Sequence, residues 1–230
     1  MIEAKPVAER TYLEVLLDHI YRVYCSRNPI MFWAFNAFFY NIFTHPMKRM
    51  GACLMIVGMF GVGKSVFFQA LGRYGFGEGT LYQYFGGDGS RLTGRFNSGF
   101  QGLLIFIDEA ENSDANTAGK TKSMITEDVQ MTEAKYQTPK LVHNYANFVY
   151  CGNSLGQKIM PGDRRYWTME CDPSAKQGMT KEMRNKLAEA CGKYDEPGPI
   201  GICQYIVWLQ KNKAGFEDFD FYVQPYMTPN

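Results

Sequence analysis

Leu13, Leu16, Leu17, Ile20, Val23 and Tyr24 recur at helical spacing, so the chain opens with an amphipathic helix. The stretch IMFWAFNAFFYNIF, Ile30 to Phe43, is apolar almost throughout and predicts a second, buried helix. SRNP, Ser26 to Pro29, parts the two, and His45-Pro46 closes the second. Asn36 and Asn41 interrupt that apolar stretch, which is too short to span a bilayer. The pattern then changes. Ala52 to Val57 is a continuous apolar run of strand type, followed by GMFGVGKS, Gly58 to Ser65, and by a helical segment from Lys64 to Gly72. Three more buried strands follow: LLIFID (Leu103 to Asp108), NFVYCGN (Asn147 to Asn153) and RYWTMEC (Arg165 to Cys171). A helix over Ala118 to Ile125 fits between them, and residues 179–213 are helical with a break at EPGP, Glu196 to Pro199. The ending, EDFDFYVQPYMTPN, reads as an irregular tail. Near-continuous apolar strands alternating with helices predict an α/β fold, a parallel sheet covered by helices on both faces, with a small N-terminal helical region.

Composition changes this picture little. Of 230 residues, 46% are hydrophobic and 20% charged, which is ordinary for a globular protein and excludes a disordered one. The net charge of +1 gives no overall basic field, so any nucleic-acid contact must be local. The first residues, MIEAKPVAER, hold no apolar leader segment, so the expectation is a cytoplasmic protein that is neither secreted nor membrane-bound. The six cysteines, at 25, 53, 151, 171, 191 and 203, form no CxxC pair; Cys53 and Cys151 fall in strand runs and read as reduced core residues. The usual Cys/His spacings of a zinc site are absent.

The candidate chemistry starts at the glycine loop. Gly58, Gly63, Lys64 and Ser65 fit GxxxxGK[ST], a pattern in which glycine lets backbone N–H groups turn inward around an anion. The amides around Phe60, Gly61, Val62, Gly63, Lys64, Ser65 and Val66, with the positive end of the following helix, would clasp the phosphates of ATP. Lys64 would reach the β- and γ-phosphates, and the Ser65 hydroxyl would hold Mg²⁺. IFIDEAE, Ile105 to Glu111, ends a strand in two carboxylates. There Asp108 would bind Mg²⁺, Glu109 would act as general base on water, and Glu111 reads as a surface charge. Asn153, at the tip of the next strand, would orient that water, although a turn asparagine is the plainer reading. In DRRYW, Asp163 to Trp167, a paired arginine could reach a neighbouring subunit's nucleotide, or simply pair with Asp163.

The succession GMFGVGKS, IFIDEAE, VYCGN and DRR resembles the superfamily three helicases, ring-forming ATPases of the AAA+ class found in viruses, phages and mobile elements. FNSGFQGLLIFIDEAE, KSMITEDVQMTEAKYQTPKLVHNYANFVYCGN and PGDRRYW are most similar to the helicase module of phage and plasmid primase-helicases and primase-polymerases. The resemblance implies a P-loop NTPase (AAA+-like) fold and an ATP-dependent DNA helicase that assembles as a hexameric ring on single-stranded DNA. It implies that Gly58, Gly63, Lys64 and Ser65 are the Walker A residues, Asp108 and Glu109 the Walker B pair, and Asn153 the sensor of motif C. It also implies that Arg164, with Arg165 as competitor, is an arginine finger acting in trans. Between Glu109 and Asn153 the family carries a hairpin that grips single-stranded DNA, and Lys135, Tyr136 and Lys140 fall there. A primase or polymerase domain usually accompanies the module, so one is expected as a partner. Three regions follow: a collar-like helical region over 1–47, the ATPase core over 48–175, and a C-terminal helical segment and tail over 176–230. Two other classes remain open: an AAA+ switch or initiator that does not unwind DNA, and a P-loop kinase for a small molecule.

Overall fold

The computed structural model describes residues 5–86, 94, 102–108, 115–133, 135–153, 163–193, 198–219 and 221. Helix α1 (Tyr12–His19) starts at a capping box, with Thr11 Oγ accepting from Glu14 N and Glu14 returning a carboxylate to Thr11 N. The helix widens into a π turn over Ile20–Tyr24. Helix α2 (Pro29–Thr44) is capped by Asn28 and begins on its proline, where a missing N–H costs nothing. The two asparagines that interrupt its apolar run are buried and satisfied. Asn36 donates to Phe32 O and accepts from the Tyr205 hydroxyl (2.8 Å), and Asn41 donates to Ala37 O.

The centre is a five-stranded, wholly parallel sheet in the order β2–β3–β6–β1–β7. Its strands are β1 (Cys53–Val57), β2 (Tyr82–Gly86), β3 (Leu104–Asp108), β6 (Asn147–Gly152) and β7 (Tyr166–Glu170). Helix α3 (Lys64–Ala70) leaves the glycine loop and runs on as a π turn to Gly77. Helix α4 (Ala115–Thr126) follows β3. A separate antiparallel pair, β4 (Val129–Thr132) with β5 (Lys140–His143), stands between α4 and β6. The chain ends in a short α5 (Ala175–Gly178), then α6 (Lys181–Ala190) and α7 (Ile200–Lys211).

Alternation along the strands sorts the core into two layers. Leu54, Ile56, Leu104, Phe106, Val149, Cys151, Trp167 and Met169 face one side, where they join buried residues of α1, α2, α3, α6 and α7. Cys53, Met55, Ile105, Ile107, Phe148, Tyr150 and Tyr166 face the other, against Met124 and Ile125 of α4. The helical first layer is aromatic: Tyr24, Phe35, Phe39, Phe67 and Phe68 lie within ring-contact distance of one another. Such pairs are worth about 0.5–1.5 kcal/mol each beyond the area they bury.

Two features differ from the sequence reading. The sheet has a fifth strand, β2, at its edge. The start of the expected tail is anchored: Phe221 is buried, and Phe219 and Phe221 pack on Trp167. Among the described residues no helix is long and apolar enough to cross a membrane.

Candidate functional site

Ligands of open parallel sheets bind beyond the carboxyl ends of the strands, where the strand order changes direction. Here that edge carries the glycine loop after β1, Asp108 at the end of β3 and Asn153 just past β6. Because β6 lies between β1 and β3, Asn153 emerges between the loop and the carboxylate. The register places Ile107 opposite Tyr150 and Val57 opposite Gly152, so the three strands end at similar heights. The buried Cys151 thiol reports the same convergence. Burial pushes its pKa well up, the Asp108 carboxylate pushes it further, and the Lys64 ammonium acts in the opposite sense. Both charges therefore lie near one sulfur atom.

The loop is held from both sides. Gly58 N donates to Gly152 O (3.1 Å) on β6, and Cys171 N donates to Val57 O (2.7 Å) beyond β7. A Cβ on Gly58 would sit 2.5 Å from Cys171 Cβ, so the position admits no side chain. Gly63 is the N-cap of α3 with φ +83°, in the left-handed region that other residues enter only with strain. Helices α1, α2 and α6 each have a side chain on their first amides, from Thr11, Asn28 and Thr180; α3 has none. The first N–H groups of α3, including those of Ser65 and Val66, are thus left for an outside acceptor such as a phosphate.

Lys64 is only 8% exposed. Its ammonium donates to Gly58 O, Met59 O (2.9 Å) and the Asn153 side-chain oxygen (3.0 Å). The cation is thus folded back onto the carbonyls of its own loop and tied to β6. Val62 is buried beneath the loop, whereas Phe60 stands 68% exposed on top. Its ring carries the Lys176 ammonium 3.9 Å from the centroid, a contact worth about 0.5–1 kcal/mol at an exposed position.

A brace from the N-terminal helices supports the loop, and the sequence reading missed it. The Gly63 carbonyl accepts from His19 Nε2 (3.2 Å) and from the Tyr24 hydroxyl (3.0 Å), which also reaches Lys64 O (3.0 Å). Both side chains come from the junction of α1 with its π turn, and their rings meet edge to face at 4.8 Å. In a planar trans peptide the N–H of the next residue points opposite to the carbonyl, so holding Gly63 O and Lys64 O also sets the directions of the Lys64 and Ser65 N–H groups. A histidine among Leu16, Leu17 and Ile20 was the only hint in the sequence, since a buried imidazole needs a partner.

Burial drives the His19 pKa down to about 4; the Gly63 carbonyl opposes the shift and Arg22 reinforces it. The imidazole is therefore neutral in the fold at neutral pH, with Nε2 protonated. The unfolded chain binds a proton near the ordinary histidine value of 6.5 and the folded chain only near 4. Stability is thus expected to fall as pH drops through that window, by about 3 kcal/mol once His19 is charged. Urea midpoints of the wild type and His19→Gln, taken between pH 7 and pH 4, should diverge, with the flatter profile in the variant. Parallel profiles would mean that His19 is not held neutral.

The other predicted residues lie at the opposite edge of the sheet. Arg164 and Arg165 precede β7, and about 13 Å of strand separates Tyr166 from Glu170 at the loop's level. Arg165 is folded onto Asp163 in a two-pronged pair (2.7 and 3.0 Å), to which Lys122 adds a third charge at 3.6 Å. Arg164 is exposed, and no acidic group among the described residues pairs with it. The β4–β5 ribbon springs from the same edge. Its root is tied by Arg49, which donates to Ile125 O, Thr126 O, Glu127 O and the Asp128 carboxylate, and by Asn144, which donates to Met124 O and Glu127 O. Its tip holds Lys135 and Tyr136, and Lys140 begins β5. Tyr136 is 93% exposed at φ +65°, with the Lys135 ammonium 5.3 Å from its ring. Glu109 and Glu111 lie outside the described residues.

A family model described as Family of unknown function (DUF5906) matches residues 56–165, from the end of β1 to Arg165. A search of curated proteins found no match. Among solved structures, an apo structure of the NrS-1 C-terminal region (305-718) aligns with a TM-score of 0.65 at 22% identity, covering 94% of this chain and 53% of that one. An A-form apo structure of the same region aligns with a TM-score of 0.64 at 19% identity and the same coverage. The chain thus shares its fold with that region and spans about half the length of the solved chains it matches.

Proposed function

We propose that this chain is the ATPase module of a ring-forming DNA helicase, a P-loop NTPase of AAA+ type related to the superfamily three helicases. One observation carries the reading: an uncapped helix N-terminus, the Lys64 ammonium, Asn153 and Asp108 converge at one edge of a parallel sheet. That combination suits a polyphosphate, because it offers helix N-terminal N–H donors and a cation. It also suits hydrolysis, because a polar amide and a carboxylate border the outer phosphates.

In this reading the amides of residues 58–66 bind the phosphates and Lys64 exchanges its loop carbonyls for the β- and γ-phosphates. Ser65 and Asp108 supply hard oxygen ligands that would hold Mg²⁺, which neutralises charge on the phosphates when bound. Glu109 takes the proton of the attacking water while Asn153 orients it. Arg164 serves a neighbouring subunit's site, since its own loop lies across the sheet. The ribbon meets single-stranded DNA, with Lys135 and Lys140 on phosphates and Tyr136 stacked on a base. Because β5 runs through a short turn into β6, the DNA-facing tip and Asn153 belong to one continuous segment. A primase or polymerase domain is the expected partner.

The test is ATP turnover with and without single-stranded DNA, run beside a sizing measurement. DNA is expected to stimulate turnover in a species larger than a monomer. Tyr136→Ala should weaken single-stranded DNA binding about tenfold, the lower part of the range for one lost base stack. Lys135→Ala and Lys140→Ala should each flatten the salt dependence of that binding by about 0.7 in logarithmic slope. Turnover indifferent to DNA in an assembled ring would favour a switch or initiator, and stimulation by a small hydroxylated metabolite would favour a kinase.

A further inference from the structure

The segment after β7 is built against the mouth of the glycine loop. Asp172 follows the point where Cys171 crosses Gly58, and it fixes a tight turn. Its carboxylate accepts from Ser174 N (2.8 Å) and Ser174 Oγ (2.6 Å) and pairs with Arg27 (2.9 Å), while its N–H donates to Val23 O (3.1 Å). The short α5 is therefore set in place from both the loop side and the N-terminal π turn. From α5, Lys176 reaches back over the loop. Its Nζ rests on the Phe60 ring, and its Cε lies 3.9 Å from where a Cβ on Gly61 would stand.

We propose that Lys176 is a second phosphate-binding cation of the same subunit. It leaves the Phe60 ring for the terminal phosphate when a nucleoside triphosphate is bound; this inference rests on the reading that the loop binds such a nucleotide. Three physical points support it. An ammonium on an exposed aromatic face holds one of its weakest electrostatic contacts, whereas a phosphate oxygen offers a charge-assisted hydrogen bond. Among the described residues this ammonium has no hydrogen-bond acceptor, and a π face does not take up its donors as a lone pair does. Lys64, the cation for the outer phosphates in this reading, rests on the carbonyls of Gly58 and Met59, and Phe60 is the next residue along the chain.

The experiment compares ATP and ADP affinities by calorimetry in the wild type, Lys176→Ala and Lys176→Arg. Lys176 is exposed and its ring contact is worth at most about 1 kcal/mol, so neither variant should shift the thermal melting point by more than about 4 °C. Lys176→Ala is expected to weaken ATP binding about tenfold and ADP binding by less than about twofold, and Lys176→Arg to restore the ATP affinity. Wild-type ATP affinity in Lys176→Ala would overturn the assignment and leave the loop reading standing. Equal losses for ATP and ADP would overturn the placement at the terminal phosphate. A wild-type protein that binds neither nucleotide would overturn both readings together.

Discussion

Lys64→Ala is expected to lower ATP turnover by at least about 10²–10³-fold, the loss typical of removing one pre-set donor from a developing negative charge. The geometry makes the effect specific. The ammonium is held by two backbone carbonyls and the Asn153 amide, all at the carboxyl edge of β1 and β6. A triphosphate must displace those acceptors, and its own oxygens replace them with charged ones. Alanine removes the cation but leaves the Gly63 carbonyl braced by His19 and Tyr24, so the loop amides stay in position. Binding of a non-hydrolysable analogue should therefore weaken less than turnover falls. The two are measured apart, by calorimetry and by phosphate release, with circular dichroism to check the fold. Turnover within twofold of the wild type would remove Lys64 from the chemistry and with it the phosphate-cradle reading.

The parts of this site that were legible in the sequence are those whose cause is local. β1, β3 and β6 are buried on both faces, so their apolar runs are unbroken and readable. The loop announces itself because glycine is required at Gly58 by the approach of Cys171 and at Gly63 by a positive φ. β2 escaped because YQYFG lies at the sheet edge, where only Tyr82 is buried and Gln83, with the exposed Tyr84 and Gly86, breaks the apolar run. The brace escaped for a different reason. Helical spacing places His19 and Tyr24 on an apolar face, but their partners are carbonyls 39 to 44 residues away, and no local pattern encodes them. Lys176 is a similar case: its meeting with Phe60 depends on the sheet bringing the end of β7 beside the end of β1. The choice between Arg164 and Arg165 is a different case: the partner, Asp163, is local and visible in DRRYW, but only the structure shows that Arg165 is the arginine it engages, in a two-pronged pair.

That pairing leads to the second large effect. Arg164→Ala is expected to reduce turnover of the assembled protein by about 10³-fold or more, as for other arginines that complete a phosphoryl-transfer site. The monomer's melting point should stay where it is, because the side chain is exposed and makes no ion pair among the described residues. Arg165→Ala should behave in the opposite way. It strips Asp163 of its two-pronged partner, so stability falls, by about 1 kcal/mol for a partly exposed pair, while chemistry suffers less. The decisive measurement mixes Arg164→Ala with Lys64→Ala subunits. In the proposed ring a head-to-tail interface would place one subunit's loop against the next subunit's Arg164, so in a one-to-one mixture about one interface in four would carry both intact residues. Each variant alone should be nearly inactive, and the mixture should regain a measurable fraction of wild-type turnover. A mixture as inactive as its components, in a species shown by sizing to contain both, would exclude action across the interface. The distance between the two edges of the sheet leaves Arg164 no route to the loop of its own subunit, so no role in the chemistry would then remain for it.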